Sequence, residues 1–276
     1  MSEKRKIIID TDPGHDDALA ILFLEKSGLF DIKAITTVAG NSGIQDTTNN
    51  ARYILDLIGS QTSLYSGAAR PLTRELIKAE VHGDGGLAGT VIYKQEKLTA
   101  NASQKIIELV RENPGAISIL LLGPETNIAQ AFLKDPELPS LIHEIIIMGG
   151  AIAVPGNKNR VAEFNIFVDP EAADIVFKTN VRKVLVPLDV CNNIVFDMQD
   201  FEKLKGFPLY EPIKNMMEFY IEGIKRFEKT TGALMYDPLA AYYLINQDAY
   251  QIVPMDIRIE ATSELTRGMT VADRRT

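Results

Sequence analysis

Lys6-Ile7-Ile8-Ile9, then Asp10-Thr11-Asp12-Pro13-Gly14-His15-Asp16-Asp17, then Ala18-Leu19-Ala20-Ile21-Leu22-Phe23-Leu24-Glu25-Lys26: the fold is decided in this run. Residues 6–9 form an unbroken apolar stretch of strand length, the pattern of a strand covered on both faces. Pro13-Gly14 makes a turn. Residues 17–26 are apolar nearly all round and predict a buried helix. A buried strand, a polar turn and a helix are the first half of a βαβ unit.

The same alternation continues outward. Strands are predicted over 32–39, 63–65, 117–122, 144–148, 183–186 and 252–259. Helices are predicted over 44–58 (with Gly59 as its C-cap), 103–112, 124–133, 170–179, 199–205, 211–230 and 238–245. Residues 71–100 are irregular and carry the glycine cluster His82-Gly83-Asp84-Gly85-Gly86-Leu87-Ala88-Gly89. The fold class is therefore α/β, a single domain over 1–276 with an open, mostly parallel β-sheet flanked by helices around a Rossmann-like core.

Composition narrows the function. The 276 residues carry 29 Lys plus Arg against 37 Asp plus Glu, a formal net charge of −8, and 46% are hydrophobic. That balance supports a large core and disfavours general attraction to nucleic acid or to an anionic membrane surface. One cysteine, Cys191, rules out an intramolecular disulfide framework and suits a reducing cytoplasm. The charged start Met1-Ser2-Glu3-Lys4-Arg5-Lys6 shows no signal peptide, and no apolar run nears the ~18 residues of a membrane span. The expectation is a cytoplasmic protein.

In parallel sheets ligands bind beyond the carboxyl ends of the strands, so the residues there carry the functional reading. After the first strand, Asp10, Asp12, Asp16 and Asp17 fall within eight residues. One carboxylate caps a helix; four crowded together repel unless a cation or protons neutralise them. Oxygen-only ligands favour a hard cation, Ca²⁺ or Mg²⁺. The other strand ends give Val38-Ala39-Gly40-Asn41, Gly123-Pro124-Glu125-Thr126-Asn127 and Met148-Gly149-Gly150, followed by Gly156-Asn157 and Ala162-Glu163-Phe164-Asn165. Together they describe a pocket of amides and carboxylates suited to a polyhydroxylated ligand such as a sugar. An Asp-dependent phosphohydrolase also places Asp-x-Asp after its first strand. Gly14 and the two further acids run against that pattern.

The chain resembles the inosine-uridine preferring nucleoside hydrolase family. The resemblance rests on Asp10-Thr11-Asp12-Pro13-Gly14-His15-Asp16-Asp17-Ala18, on Thr36-Thr37-Val38-Ala39-Gly40-Asn41, on Gly123-Pro124 with Thr126-Asn127, on Met148-Gly149-Gly150, on Ala162-Glu163-Phe164-Asn165 with Asp169-Pro170-Glu171-Ala172, and on Asp237-Pro238-Leu239-Ala240. It implies the nucleoside hydrolase fold and Ca²⁺-dependent cleavage of ribonucleosides to base and ribose in nucleoside salvage, by a homodimer or homotetramer. It implies that Asp12, Asp17, the Thr126 carbonyl and Asp237 hold the Ca²⁺, with Asp12 also the general base toward its water. Asp16, Asn41 and Asn165 are expected on the ribose 2′- and 3′-hydroxyls, Asn157 and Glu163 on the 5′-hydroxyl, Met148 beside the sugar and His82 near the base. Asp10 gets no ligand role. Tyr220, Arg226 and Phe227 belong to the segment expected to close over the base.

Two departures from the family pattern stand out. Tyr236 occupies the position where the family usually carries a histidine, assigned as general acid to the leaving base. A tyrosine with a reference pKa of ~10 either donates a proton there or only stacks on the base. Base protonation is then expected to be weaker or to come from elsewhere, and a slow nucleoside- or ribose-binding paralogue is the alternative function. The resemblance also implies a final strand and helix after the segment 264–271, beyond Thr276.

Overall fold

β1 (Arg5–Thr11) is an inner strand: it lies between β2 (Phe30–Thr37) and β4 (Ile117–Leu121), parallel to both. The computed structural model describes residues 4–90, 92, 94–227 and 230–275. With β3 (Leu64–Ser66), β5 (Glu144–Met148) and β6 (Lys183–Val186) it forms a six-stranded sheet in the order β3-β2-β1-β4-β5-β6, every pairing parallel. The chain leaves β1 toward β2 and later returns to its other side with β4. The strand order therefore reverses at β1, and a crevice opens at its carboxyl end.

Helices cover both faces. In chain order they are α1 (His15–Ser27), α2 (Ile44–Ile58), α3 (Ala102–Glu112), α4 (Thr126–Lys134), α5 (Phe164–Val168), α6 (Pro170–Phe177), α7 (Leu188–Cys191), α8 (Met198–Glu202), α9 (Tyr210–Phe227) and α10 (Asp237–Ile245). Strand alternation divides the core. Ile7, Ile9, Ile35, Leu120 and Ile146 pack with residues of α1, α2, α9 and α10. Ile8, Ile119, Leu121, Ile145 and Ile147 pack with residues of α3, α4 and α6. This two-sided burial is why the strands read as continuous apolar runs. Two small antiparallel pairs complete the chain: β7 (Val195–Phe196) with β8 (Ala233–Leu234), and β9 (Ile257–Ile259) with β10 (Thr270–Ala272).

Most predicted elements fall in place, and Gly59 caps α2 at φ 67°. Some boundaries differ. β1 runs on through Asp10 and Thr11, because Leu122 N–H donates to the Asp10 carbonyl (2.8 Å) and Val38 N–H to that of Thr11 (3.0 Å). α1 begins at His15, two residues early, because Gly14 takes the N-cap and the Asp17 carboxylate accepts its N–H at 2.9 Å. The strand expected over 252–259 shrinks to Ile257–Ile259. Pro254 removes a ladder donor there, and β10 offers three residues of pairing. The helix expected over 211–230 is described as Tyr210–Phe227, while residues 228 and 229 lie outside the described residues.

Candidate active site

The carboxyl ends of β1, β2, β4 and β5 bring the sequence-predicted polar residues to one end of the sheet. β1 alternation separates its acids from Thr11. Asp10 follows Ile8 toward the α4 side, and Thr11 follows Ile9 toward α1. Asp10 Oδ1 accepts from Thr36 Oγ1 (2.5 Å) and Asn127 Nδ2 (2.8 Å). Asn127 also donates to the Thr37 carbonyl (3.0 Å) and accepts from Ala68 N–H (2.9 Å). Asp10 is thus a buried tie between strand ends, and burial raises its pKa to about 7.

Asp12 lies just beyond β1, between two glycines. A Cβ at Gly123 would come within 2.5 Å of Asp12 Oδ1, and one at Gly40 would collide with Oδ2. Asn41 N–H donates to Oδ2 at 2.6 Å, while the fully buried Oδ1 has no hydrogen-bond partner. Asn41 Nδ2 reaches the Asp12 carbonyl and Asp17 Oδ2, both at 3.2 Å. Asp17, in the first turn of α1, takes the Thr11 hydroxyl on Oδ1 (2.5 Å). Asp237, at the start of α10, brings its carboxyl beside that of Asp17.

Carboxylate oxygens of Asp16, Asp17 and Asp237 lie within 4.8 Å of one another, and all three residues are buried. The pKa values of Asp12, Asp17 and Asp237 are all raised, in each case chiefly by burial. For Asp12 the Asp17 charge follows; for Asp237 the charges of Asp17, Asp16 and Asp12 follow. So many carboxyls in so little water keep protons or take a cation. An oxygen-only donor set, a partnerless Asp12 oxygen and a carboxyl–carboxyl contact fit a hard divalent cation. Thr126, the remaining expected ligand, opens α4, with its hydroxyl on Asp169 Oδ2 at 2.7 Å.

In front of this cluster is a cavity of about 260 Å³. Asp16, Asn41, Met148, Asn157, Glu163 and Asn165 line it with Asp237, so the residues expected around the sugar converge. Asn165 Nδ2 is fixed by the carbonyls of Leu122 (2.8 Å) and Met148 (3.3 Å). Glu163 caps α5, accepting from Asn165 N–H (2.9 Å), Gly150 N–H (3.1 Å) and Ile166 N–H (3.2 Å). Burial raises its pKa to about 7.

Val81, His82, Tyr220, Phe227 and Tyr236 also line the cavity. His82 packs parallel to Tyr220, with ring centroids 5.4 Å apart. Its Nε2 lies 3.9 Å from Asp16 Oδ1, and its Nδ1 lies 3.1 Å from His15 Nδ1. Burial lowers the pKa of both imidazoles, that of His15 to about 4. A Cβ at Gly14 would stand 2.7 Å from the His82 ring, so the turn glycine also makes room for the histidine.

Two expectations need correction. Arg226 is not among the residues lining the cavity; its guanidinium lies over the Phe227 ring, 5.3 Å from the centroid. Glu125, counted with the pocket acids in the sequence, is fully buried away from the lining, with neither carboxylate oxygen hydrogen-bonded. Sequence reading also passed over Thr11 and His15, whose only signal was a polar residue wedged among the acids of the first strand end.

The family model described as inosine-uridine preferring nucleoside hydrolase matches residues 7–276. A pyrimidine-specific ribonucleoside hydrolase RihA from Salmonella newport is 38% identical over 275 residues, covering 97% of this chain and 88% of its own. A solved plant nucleoside hydrolase superposes with a TM-score of 0.92 at 31% identity, covering 98% of this chain and 87% of the other. A purine-preferring ribonucleoside hydrolase from Gardnerella vaginalis superposes with a TM-score of 0.89 at 28% identity, covering 98% and 89%.

Proposed function

The chain belongs to the inosine-uridine preferring nucleoside hydrolase family and is a ribonucleoside hydrolase, cleaving the N-glycosidic bond to free base and ribose; we propose that it does so with a Ca²⁺ held by Asp12, Asp17, Asp237 and the Thr126 carbonyl. The observation that carries this reading is the buried cluster of Asp16, Asp17 and Asp237, two of whose members line a cavity that aromatic side chains also line. In this reading the ribose lies against the acids and the base against the aromatic side chains. When bound, the cation supplies the charge the cluster lacks and acidifies water.

The protein's own residues account for the rest. Asp12, with Oδ1 partnerless and aimed by Asn41 N–H, takes a proton from the water that attacks C1′. Asp16, Asn41 and Asn165 hold the 2′- and 3′-hydroxyls, and Asn157 and Glu163 hold the 5′-hydroxyl, with Met148 beside the sugar. Fixing the sugar this way converts a loose encounter into an aligned one. Positive charge that develops on the ribosyl ring is stabilised by the surrounding carboxylates. His82 and Tyr236 face the departing base. Tyr236 places a hydroxyl there as proton donor, a weaker acid than an imidazolium.

Pyrimidine nucleosides are the first substrates in this reading, supported by the pyrimidine-specific relatives. The family resemblance further supports a cytoplasmic homodimer or homotetramer acting in nucleoside salvage, and no helix among the described residues is long and apolar enough to cross a membrane. Ribose release from uridine, cytidine, inosine and adenosine tests the assignment. Release led by the pyrimidines is expected. Tight nucleoside binding without release would instead identify a binding paralogue.

A further inference from the structure

Asp17 takes three hydrogen bonds from outside the acidic cluster. Gly14 N–H (2.9 Å) and Asn41 Nδ2 (3.2 Å) both donate to Oδ2, and the Thr11 hydroxyl donates to Oδ1 at 2.5 Å. Thr11 is fully buried, the last residue of β1, and strand alternation turns it onto the first turn of α1. Its hydroxyl therefore joins the rigid central strand to one carboxylate oxygen. The other two donors, the Gly14 turn and the Asn41 loop, come from irregular segments. We infer that Thr11 is a positioning residue for the cation site, holding the Asp17 carboxylate within reach of Asp16 and Asp237.

The inference rests on the reading of the acidic cluster as a cation site. A hydrogen bond that orients a metal ligand typically sets affinity by about 10- to 100-fold. A bond that only ties β1 to α1 would stabilise the metal-free and the metal-loaded protein equally. These two roles are separable by linkage, because ligand-dependent stabilisation follows the dissociation constant alone.

The experiment is calorimetric titration of Ca²⁺ into chelator-stripped wild type, Thr11→Val and Thr11→Ser, with thermal unfolding of each protein with and without Ca²⁺. Valine keeps the shape and removes the hydroxyl. Thr11→Val is expected to weaken Ca²⁺ binding about tenfold or more and to shrink the Ca²⁺-dependent rise in unfolding temperature, while Thr11→Ser restores both. Thr11→Val binding Ca²⁺ like the wild type, or losing the same unfolding temperature with and without Ca²⁺, overturns the inference. Should Thr11→Val not fold, Thr11→Cys, whose thiol is a weak donor, carries the same expectation, and unchanged affinity there overturns it equally. A wild type that binds no Ca²⁺ removes the cation reading itself, and the inference with it.

Discussion

Replacing Glu125 with glutamine should shift the stability balance toward the variant as pH rises. Glu125 sits at the N-terminus of α4, completely buried, with both side-chain oxygens lacking a hydrogen-bond partner. Its pKa is pushed well above the ordinary carboxyl value, chiefly by burial and further by the charges of Glu163, Asp169 and Asp10. The native protein therefore holds its proton to a higher pH than the unfolded chain does. In the unfolded chain the group titrates near its ordinary value of 4.5. A group with a raised folded pKa contributes stability that is fully present below the unfolded pKa and is lost as pH rises toward the folded one. Above the unfolded value folding must return a proton to the group, a cost that grows as pH rises toward the folded pKa. Glutamine has a similar shape and needs no proton. Constant differences in packing and hydrogen bonding cancel when the two proteins are compared across pH. Urea unfolding of wild type and Glu125→Gln, with chelator present throughout, should show the gap widening as pH rises from 5.5 to 7, by at most about 1.4 kcal/mol for each pH unit. A gap that stays constant with pH would mean that Glu125 is ionised in the native protein, and the burial argument would fail.

Three further predictions concern turnover. Asp12→Asn keeps the accepting oxygen for Asn41 N–H but removes the base, so kcat should fall about 10²- to 10⁴-fold with ribonucleoside binding retained, measured by ribose release and by equilibrium binding. Gly123→Ala places a methyl against Asp12 Oδ1, so turnover should drop about a hundredfold while the circular dichroism spectrum stays native. Tyr236→His supplies a stronger acid at the base end, and inosine turnover should rise relative to uridine; an unchanged ratio would show that Tyr236 does not limit protonation of the leaving base.

The sheet was legible because its strands are buried on both faces. Ile7, Ile8 and Ile9 face different cores, and a run apolar at every position admits that arrangement and few others. The strand expected over 252–259 was not legible in the same way. Its alternation is real, but Pro254 and the three-residue β10 limit the pairing, and the latter is a tertiary fact. At the site, crowding of the acids marked the place but not the parts they play. Asp10 and Asp12 are two residues apart, yet Asn127, 117 residues along, claims the first, and Gly40 and Gly123 make room for the second. Glu125 read as one more pocket acid because only the packed structure places it behind the cavity wall. Thr11 was hidden for the opposite reason: a threonine ending a strand is ordinary, and its bond to Asp17 appears only when α1 folds back over β1.

The central claim is that ribonucleoside hydrolysis depends on a cation held by the Asp12, Asp17 and Asp237 cluster. Ribose release from uridine should be measured on chelator-stripped protein, then after Ca²⁺ is added back, with native unfolding behaviour checked in both states. Release is expected to stop on stripping and to return with Ca²⁺. Full-rate ribose release from stripped, folded protein would contradict the claim.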